Sequence, residues 1–327
     1  MVNKYPLLLR PVPKEIIWGG DRLRREYGKT APFEKIAESW ELTVREKEMC
    51  VIAGGEYAGM TLGEYIASGR RSILGQNGAK YDRFPLLIKF IDAADRLSIQ
   101  VHPDDEYGLS REGELGKTEM WVILAAEEGA QLVYGLKPGV TTDDFRKAVA
   151  EGRTEDCLNF VNVHAGEVYF IPSGQVHAIG AGILIAEIQQ NSNITYRVYD
   201  YNRPGADGKP RELHTEKALD VVKLRTPEEI DAIRFSVPVK IGANGEVLAS
   251  CDYFTVVRYV TAPGKTALYT STDCSFASFL VLEAEDAQIE CGSFVEPIHK
   301  GESWFIPAGS GEVKISGRAE VIATEVN

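Results

Sequence analysis

The stretch GEVYFIPSGQVHAIG at residues 166–180 recurs in altered form as GESWFIPAGSGEVKISG at residues 301–317. Both copies place Gly, Glu, an aromatic residue, Phe, Ile, Pro, a small residue and Gly in the same order without a gap. An internal repeat of this kind indicates two copies of one supersecondary unit. The copies differ at one chemically important position, because His177 in the first copy aligns with Glu312 in the second.

Short runs rich in β-branched and aromatic residues recur along the chain between turns that contain Gly, Pro, Asp or Asn. These runs are residues 84–93, 120–126, 130–136, 167–172, 183–190, 254–262, 276–284, 302–307 and 319–326. Many short strands at this spacing are typical of a β-sandwich or a barrel, so the sequence predicts a mainly β fold.

Helical patterns are few by comparison. Thr61 followed by Glu64 forms a capping-box pattern and predicts a helix over residues 61–75. A capping Thr with early acidic residues predicts a second helix over residues 141–152. Two further helices are predicted at residues 213–224 and Pro227–Ile233.

The chain length of 327 residues predicts two domains, each with its own core. Residues 203–212 and 225–245 are rich in turn-forming residues and are predicted to connect the two halves. We therefore expect an N-terminal catalytic domain with helical insertions over residues 1–235 and a C-terminal domain over residues 236–327.

Charge and composition exclude several classes of partner. The net charge of −12 disfavours nucleic acid, whose binding draws on clustered Lys and Arg. No run approaches the roughly 20 apolar residues that a membrane span needs, and the N-terminus does not resemble a signal peptide. Five scattered cysteines predict free thiols in a reducing compartment, so a cytoplasmic location is expected.

The first copy of the repeat has the spacing G-x5-P-x-G-x2-H, formed by Gly166, Pro172, Gly174 and His177. In this pattern an apolar strand reaches a Pro-Gly turn, after which the His points into the mouth of a barrel. The spacing resembles the second conserved motif of the cupin superfamily. The resemblance implies two cupin (jelly-roll) β-barrels, with a few helices packed around the N-terminal one.

Candidate metal ligands lie upstream of this motif. Gln100 and His102 are two residues apart and can project from one face of a strand. Glu119 follows after an insert and opens an apolar strand. Together with His177, these residues make a mixed nitrogen and oxygen set that suits a borderline divalent ion, with Zn2+ first. A lone His at a strand end is more often a satisfied polar residue, but here two histidines fall at both cupin positions.

The chain also resembles a narrower group, the short bacterial form of the type I mannose-6-phosphate isomerases, which are also called phosphomannose isomerases. The stretches that carry this resemblance are AESWEL (37–42), FPLLIKFIDA (84–93), LSIQVHPDD (97–105), GKTEMW (116–121), the long block 171–203 and LHTEKALDV (213–221). The likeness is strong over residues 1–225 and weaker in the C-terminal cupin. Thr118 departs from the family pattern, since many members have Pro there.

This resemblance implies one Zn2+ per chain at His102, Glu119 and His177, with Gln100 as a candidate fourth ligand. It also implies roles for four other residues, namely Arg197 as the catalytic arginine, Lys117 as a catalytic lysine, and Lys89 and Asp200 as substrate-binding residues. The alternatives are a surface charge for Arg197 and a lysine that extends to solvent for Lys89. Lys89 interrupts the apolar run LLIKF, where an unpaired buried charge would be costly.

The implied reaction interconverts D-mannose 6-phosphate and D-fructose 6-phosphate through a cis-enediol. Metal-bound water, Lys117 and Asp200 are candidate proton carriers, and the sequence does not choose among them. It also leaves open which residues bind the phosphate and whether the chain is a monomer or a small homo-oligomer. The expected partner is a small-molecule sugar phosphate, with no nucleic acid and no membrane.

Two other functions compete with this hypothesis. One is a sugar-binding or regulatory cupin that kept the metal and lost turnover. The other is a different metal-dependent enzyme with two cupins, such as an oxygenase, although such sites usually have more His ligands. Because Glu312 replaces the motif His, the second cupin is predicted to bind no metal.

Overall fold

The computed structural model describes residues 3–205, 208–239 and 245–327 and is built mainly from antiparallel strands. The strands are β1 Leu7–Arg10, β2 Val12–Lys14, β3 Glu38–Leu42, β4 Val44–Arg45, β5 Glu48–Met49, β6 Val51–Ile52, β7 Leu86–Ala93, β8 Ile99–Val101, β9 Glu119–Ala126, β10 Gln131–Leu136, β11 Leu158–Asn162, β12 Val168–Ile171, β13 His177–Ile179, β14 Ile183–Gln190, β15 Tyr196–Tyr199, β16 Gly245–Ser250, β17 Phe254–Thr261, β18 Thr266–Ser271, β19 Ala277–Cys291, β20 Phe294–Ile298, β21 Ser303–Ile306 and β22 Gly311–Val326. The helices are α1 Arg22–Tyr27, α2 Leu62–Ala67, α3 Arg70–Ala79, α4 Asp105–Glu112, α5 Thr142–Ala150, α6 Thr215–Val221 and α7 Pro227–Arg234, with a 3-10 turn at Thr154–Cys157.

Two sheets face each other in the N-terminal half. One has the strand order β12-β9-β14-β7-β3-β2, and the other has the order β11-β10-β13-β8-β15. An apolar cluster fills part of the space between them, with Ile91 and Trp121 from the first sheet meeting Leu132 and Ile179 from the second. The candidate site lies in this same space, because both sheets send polar side chains into it.

The central strands β7 and β14 are buried on both faces. Alternation along β7 explains this, since successive side chains point to opposite sides of the sheet. Leu86, Ile88 and Phe90 belong to a large core that also contains C-terminal residues, whereas Ile91 faces the opposing N-terminal sheet. Lys89 has the same parity as Ile91, so its side chain enters the space between the two sheets.

The C-terminal half is a single strongly curved sheet. Strands β19 and β22 pair along most of their length, with register shifts between Val281 and Glu283 and between Glu285 and Gln288. Such irregularities bend a strand and increase its twist, so that one sheet can fold over itself. As a result, residues from both ends of β19 meet in one core, as Phe279 and Ile289 do.

The two halves share strands as well as a core. Strand β1 pairs with β21, placing Leu8 opposite Trp304, and β6 pairs with β1, so N-terminal residues extend the C-terminal sheet. The boundary predicted between residues 235 and 236 stays a prediction. Parts of the predicted connections at 203–212 and 225–245 lie outside the described residues.

The sequence repeat is a structural repeat and extends two residues further upstream. Gly166 and Gly301 both adopt positive φ angles, of 91° and 87°. In the first copy His164 Nδ1 lies 3.2 Å from a Glu167 carboxylate oxygen. The second copy has the same arrangement between His299 Nδ1 and Glu302, at 2.9 Å. These two histidines therefore stabilise equivalent turns before β12 and β21.

The predicted helices are present with changed bounds. The capping box predicted at Thr61 forms, and the predicted capping residue Thr141 also forms a capping box. Thr226 caps α7 in the same way, which was not predicted. The helix predicted over residues 61–75 is interrupted, because α2 ends at Ala67 and α3 begins at Arg70 after Gly69. Helices α1 and α4 were not predicted. Among the described residues, no helix combines the length and apolar character needed to cross a membrane.

The predicted mainly β architecture with cupin units is confirmed. Among the described residues, however, the hydrogen-bonded sheets are open rather than closed barrels, because the N-terminal sheets end at separate edge strands. The N-terminal unit is thus a sandwich whose two sheets cover the candidate site from opposite sides.

Candidate metal centre and active site

Three predicted ligands meet between the two N-terminal sheets. His102 directly follows β8, Glu119 opens β9 and His177 opens β13. All three side chains are buried, at 1%, 0% and 0% exposure respectively. His102 Nε2 lies 3.3 Å from Glu119 Oε1, and His177 Nε2 lies 3.8 Å from Glu119 Oε2. One donor atom from each residue lies within 4.8 Å of the other two.

The spacing and chemistry of these atoms fit a divalent cation. Ligand bonds of about 2.1 Å in a tetrahedral site place neighbouring donor atoms roughly 3.4 Å apart, close to the observed distances. Burial, aided by the nearby Lys117, lowers the pKa of His102 to about 3, and burial also lowers the pKa of His177. Both imidazoles are therefore neutral at physiological pH, which is the form that binds metals.

Contacts around the ligands orient them. His177 Nδ1 lies 2.8 Å from the Gln175 carbonyl oxygen, so Nδ1 carries the proton and Nε2 keeps its lone pair for a metal. Trp121 Nε1 donates to Glu119 Oε2 at 3.1 Å. Burial alone would raise the pKa of Glu119, but Lys117 and His102 outweigh it and lower the pKa well below the usual range.

Gln100 lies beside the three ligands. It is the register partner of His177 on β13 and of Arg197 on β15. Its side-chain amide nitrogen lies 3.3 Å from His177 Nε2. The oxygen and nitrogen of an amide are assigned from their neighbours, and half a turn would direct Oε1 towards the cluster instead. Its predicted metal contact is thus sterically available and stays a prediction.

A cavity of about 300 Å³ opens beside the cluster. The predicted residues Lys89, Gln100, Lys117 and Arg197 all line this cavity. Lys117 Nζ lies 2.7 Å from Glu119 Oε1 and 3.3 Å from His102 Nε2, so a cation is held directly against the ligand set.

Lys89 is buried and paired. Its Nζ donates to Glu187 Oε1 at 2.8 Å and lies 3.7 Å from Glu38 Oε2. Burial alone would lower the pKa of Lys89, but the two carboxylates outweigh it and raise the pKa. The pKa of Glu187 is raised, first by burial and then by the nearby charge of Glu119. Lys89 therefore stays charged inside the protein and does not extend to solvent.

Arg197 reaches the cavity from β15. Its Nε donates to Ser98 Oγ at 3.3 Å, and its Nη1 donates to the Glu212 carbonyl oxygen at 2.8 Å. Burial lowers the pKa of Arg197, and the neighbouring Arg211 lowers it further. Among the described residues, both hydrogen-bond partners of the Arg197 guanidinium are uncharged, so no direct ion pair neutralises its positive charge.

Asp200 does not line the cavity, although its charge acts on the nearby Arg197. Its carboxylate accepts two hydrogen bonds from Arg211, both at 2.7 Å, and two from Arg203, at 2.9 and 3.1 Å. Burial alone would raise its pKa, but Arg211 and Arg203 together lower it. Its predicted role in substrate binding stays a prediction.

Several residues that line the cavity were not predicted from the sequence, among them Glu187, Trp121 and Arg211. Glu187 and Trp121 both line the cavity, and Trp121 Nε1 donates to both Glu119 and Glu187. Glu187 could have been found, because it is a charged residue within the apolar run ILIAEIQQ. Arg211 also lines the cavity, but it lies in a segment with no motif-like spacing to mark it.

The fold and the buried cluster define the chain as a protein with two cupin units and, over the residues that the structure describes, one candidate metal centre. The model of the phosphomannose isomerase type I catalytic domain matches residues 7–126, and that of the mannose-6-phosphate isomerase cupin domain matches residues 245–326. The chain belongs to the type I phosphomannose isomerase family.

Individual relatives agree with this assignment over the full chain length. Mannose-6-phosphate isomerase ManA of Bacillus subtilis strain 168 is 38% identical over 98% of this chain and 99% of its own. Mannose-6-phosphate isomerase of Streptococcus mutans is 36% identical, with 98% of each chain covered. The crystal structure of mannose 6-phosphate isomerase from Bacillus subtilis has a TM-score of 0.85 at 34% identity, covering 98% of this chain and 99% of that one.

Proposed function

We propose that this chain is a metal-dependent aldose–ketose isomerase that interconverts D-mannose 6-phosphate and D-fructose 6-phosphate through a cis-enediol. One observation carries the proposal. The buried His102, Glu119 and His177 cluster lies beside a cavity lined by Lys89, Lys117 and Arg197, in a chain whose relatives bear the name of this isomerase.

The cofactor that we propose is Zn2+, held by His102, Glu119 and His177 with Gln100 as the fourth ligand. Neutral imidazoles, a carboxylate and an amide oxygen form a donor set that suits this borderline ion. When bound, the ion would supply Lewis acidity towards the sugar oxygens and lower the pKa of a bound water.

Arg197 and Lys117 are the catalytic residues in this proposal. The reaction moves a proton between C2 and C1 and places negative charge on O1 or O2. Arg197 on β15 is the register partner of Gln100 on the neighbouring strand β8 and lines the cavity, so its guanidinium can stabilise that charge. Lys117 carries its protons at Nζ beside Glu119 and can donate one to the developing oxyanion.

Lys89 is proposed to bind substrate through a hydroxyl group. Its ammonium is fixed by Glu187 and Glu38 and retains a third N–H for the cavity. Glu187 is a second acceptor beside this ammonium and is held by Trp121. The pair can therefore orient a sugar hydroxyl through one donor and one acceptor without adding net charge.

The setting that we propose follows from this chemistry. The substrate is a small sugar phosphate of the cytoplasm, with neither nucleic acid nor a membrane as partner. A complete set of site residues within one chain is compatible with either a monomer or a small homo-oligomer.

The proposal is tested by measuring zinc content and isomerase turnover of the wild type, His177→Ala and Arg197→Ala. Turnover on mannose 6-phosphate is followed with coupling enzymes that consume fructose 6-phosphate. We expect His177→Ala to lose both metal and activity, and Arg197→Ala to keep the metal and lose activity. Full metal content in His177→Ala would contradict the ligand assignment.

Two outcomes favour the competing functions. A wild-type protein that binds zinc stoichiometrically and shows no turnover would support a sugar-binding cupin. Stoichiometric iron without zinc, together with oxygen consumption, would support an oxygenase.

A further inference from the structure

The cationic side chains around the cavity are not evenly neutralised. Among the described residues, the cations that line it are Lys14, Lys89, Lys117, Arg197 and Arg211. The lysines each have a carboxylate, with the pairs being Lys14 with Glu48, Lys89 with Glu187, and Lys117 with Glu119. The arginine end differs, because Arg211 shares the single carboxylate of Asp200 with Arg203. Arg203 is in turn paired with Asp95, so among the described residues the unneutralised positive charge at this end is that of Arg197, whose hydrogen bonds go to Ser98 and to the Glu212 carbonyl.

We propose that Arg211 binds the 6-phosphate group of the substrate, and that Asp200 is a positioning residue that holds the Arg211 guanidinium at the cavity wall. This inference rests on the proposed function, since it names the residue that recognises the phosphate of that substrate.

The geometry of the Arg211–Asp200 pair supports the assignment. Arg211 uses Nε and Nη2 towards Asp200, with both hydrogen bonds at 2.7 Å. A guanidinium has five N–H donors in a planar fork, and within the described part of the chain no residue other than Asp200 accepts a hydrogen bond from the Arg211 guanidinium, which leaves the edge formed by its two Nη groups for a ligand. That edge matches two oxygens of a phosphate, which is the arrangement of the stronger arginine–phosphate contacts.

Arg211 lines the cavity, but among the described residues its hydrogen bonds go to Asp200 and not to the metal-ligand candidates. Reaction at C1 and C2 requires those carbons to lie near Lys117, Arg197 and the metal ligands. The phosphate is attached at the opposite end of the carbon chain and needs a separate group. Arg211 reaches the cavity from the segment after β15, held by Asp200 just past the end of that strand.

Asp200 acts through Arg211 and makes no cavity contact of its own. Arg203 holds the other side of Asp200 and is in turn bound by Asp95, at 3.0 Å. Arg203 does not line the cavity, so it provides a matched control with the same carboxylate partner. The carboxylate is thereby fixed by two arginines, of which Arg211 alone faces the substrate.

The test uses the zinc-loaded full chain and measures KM for mannose 6-phosphate and the competitive Ki of inorganic phosphate. We expect Arg211→Met to raise both constants about 10- to 100-fold, as for a lost charge-assisted hydrogen-bonded pair, with kcat within about threefold. Arg211→Lys keeps the charge without the fork and should raise both about 3- to 10-fold. Arg203→Met removes a cation that contacts Asp200 and does not line the cavity, so it should raise both constants less than Arg211→Lys does.

The positioning role has its own readout. Asp200→Asn should raise KM in the wild-type background and have no further effect in the Arg211→Met background. Equal effects of Asp200→Asn in both backgrounds would overturn that role. Thermal unfolding of each variant shows whether it is folded. If Arg211→Met does not fold, Arg211→Lys takes its place in the comparison.

The inference and the proposed function can fail separately. An active wild type whose folded Arg211→Met variant keeps both KM and the phosphate Ki would overturn the inference and leave the isomerase function intact. If the wild type has no turnover, the binding of inorganic phosphate to the wild type and to Arg211→Met is measured by calorimetry to test the inference. Binding that is lost in Arg211→Met would support the inference, and a wild type that binds no phosphate would overturn it.

Discussion

Lys89 and Glu187 lie directly opposite each other on β7 and β14, and Lys89 Nζ donates to Glu187 Oε1 at 2.8 Å. Both side chains are almost completely buried. Removing one partner leaves an uncompensated charge, so we expect Lys89→Met to lower the free energy of unfolding by about 3–5 kcal/mol. The double variant Lys89→Met/Glu187→Leu should regain most of this stability and remain inactive.

Denaturant unfolding and the coupled isomerase assay check this prediction. Arg203→Met, outside the cavity, serves as a control for the loss of a cation from a more peripheral pair. A Lys89→Met variant as stable as the wild type would show that the buried pair is not coupled as the structure indicates.

Trp121 is expected to tune metal affinity through its indole N–H. Trp121→Phe keeps the aromatic ring and removes the hydrogen bond to Glu119, so we expect metal affinity to fall about 10- to 100-fold. Titration with a competing chelator measures the change. Trp304→Phe is the matched control, because Trp304 Nε1 makes the same kind of bond to Glu302 in the second cupin. Equal affinity in both variants would contradict the orienting role.

Metal removal should affect both activity and stability. Stripping the protein with a chelator is expected to abolish turnover and lower the midpoint of thermal unfolding, because an ion that binds only the folded state stabilises it. Zn2+ added back should restore both. Glu312→Gln, at the position of the second cupin that matches His177, should lose and regain turnover and stability on metal removal and addition as the wild type does. Full turnover after complete removal of metal would contradict metal dependence.

Lys29 and Glu41 form a buried ion pair of 2.7 Å at the junction of the two halves, where Lys29 also donates to the Gly301 carbonyl. Burial raises the pKa of Glu41, and Lys29 opposes that rise. We expect Lys29→Met to destabilise the protein by about 3–5 kcal/mol at neutral pH. The second variant Lys29→Met/Glu41→Leu should recover most of the loss.

The sign of the pH dependence follows from the raised pKa of Glu41. When the pKa of an acid is higher in the folded than in the unfolded state, the acid destabilises the protein at any pH above both pKa values. At a pH below both pKa values this destabilisation is absent. The loss of unfolding free energy caused by Lys29→Met should therefore become smaller as the pH falls towards about 4.3, the pKa of a glutamate in the unfolded chain. Denaturant unfolding between pH 7 and pH 4.5 measures this, and a constant penalty would refute it.

The repeated glycines offer a comparison within one chain. Both Gly166 and Gly301 have positive φ, so an Ala at either position should cost about 1–2 kcal/mol. A Cβ at Gly301 would also lie 2.5 Å from the Tyr27 carbonyl oxygen, whereas one at Gly166 has open space. We expect Gly301→Ala to be clearly the more destabilising in denaturant unfolding, and equal effects would contradict the contact.

Much of the candidate site was predictable because its signals are local. A ligand motif such as Gln100-x-His102 depends on the two-residue period of a strand, which is visible in the sequence itself. The same period placed Lys89 on the inner face of β7. The caps predicted at Thr61 and Thr141 involve only neighbouring residues, and both form.

Helix α4 shows where local signals were overlooked. Asp104 caps its first turn by accepting from the Tyr107 N–H, and Gly113 ends it in a left-handed conformation. Both signals are present in the sequence, but a low apolar content hid the helix within the insert before Glu119.

By itself the sequence determined the repeat, the alternating strands and the motifs that contain His102 and His177, since each depends on residues close together in the chain, whereas Glu119 was chosen from the family resemblance. Only the tertiary structure decided that Glu187 lies opposite Lys89, that Asp200 binds Arg211, and that β1 joins the C-terminal sheet. These relationships depend on strand register and on contacts between distant segments. Local periodicity specifies which face a side chain occupies, but it does not specify which distant residue it meets there.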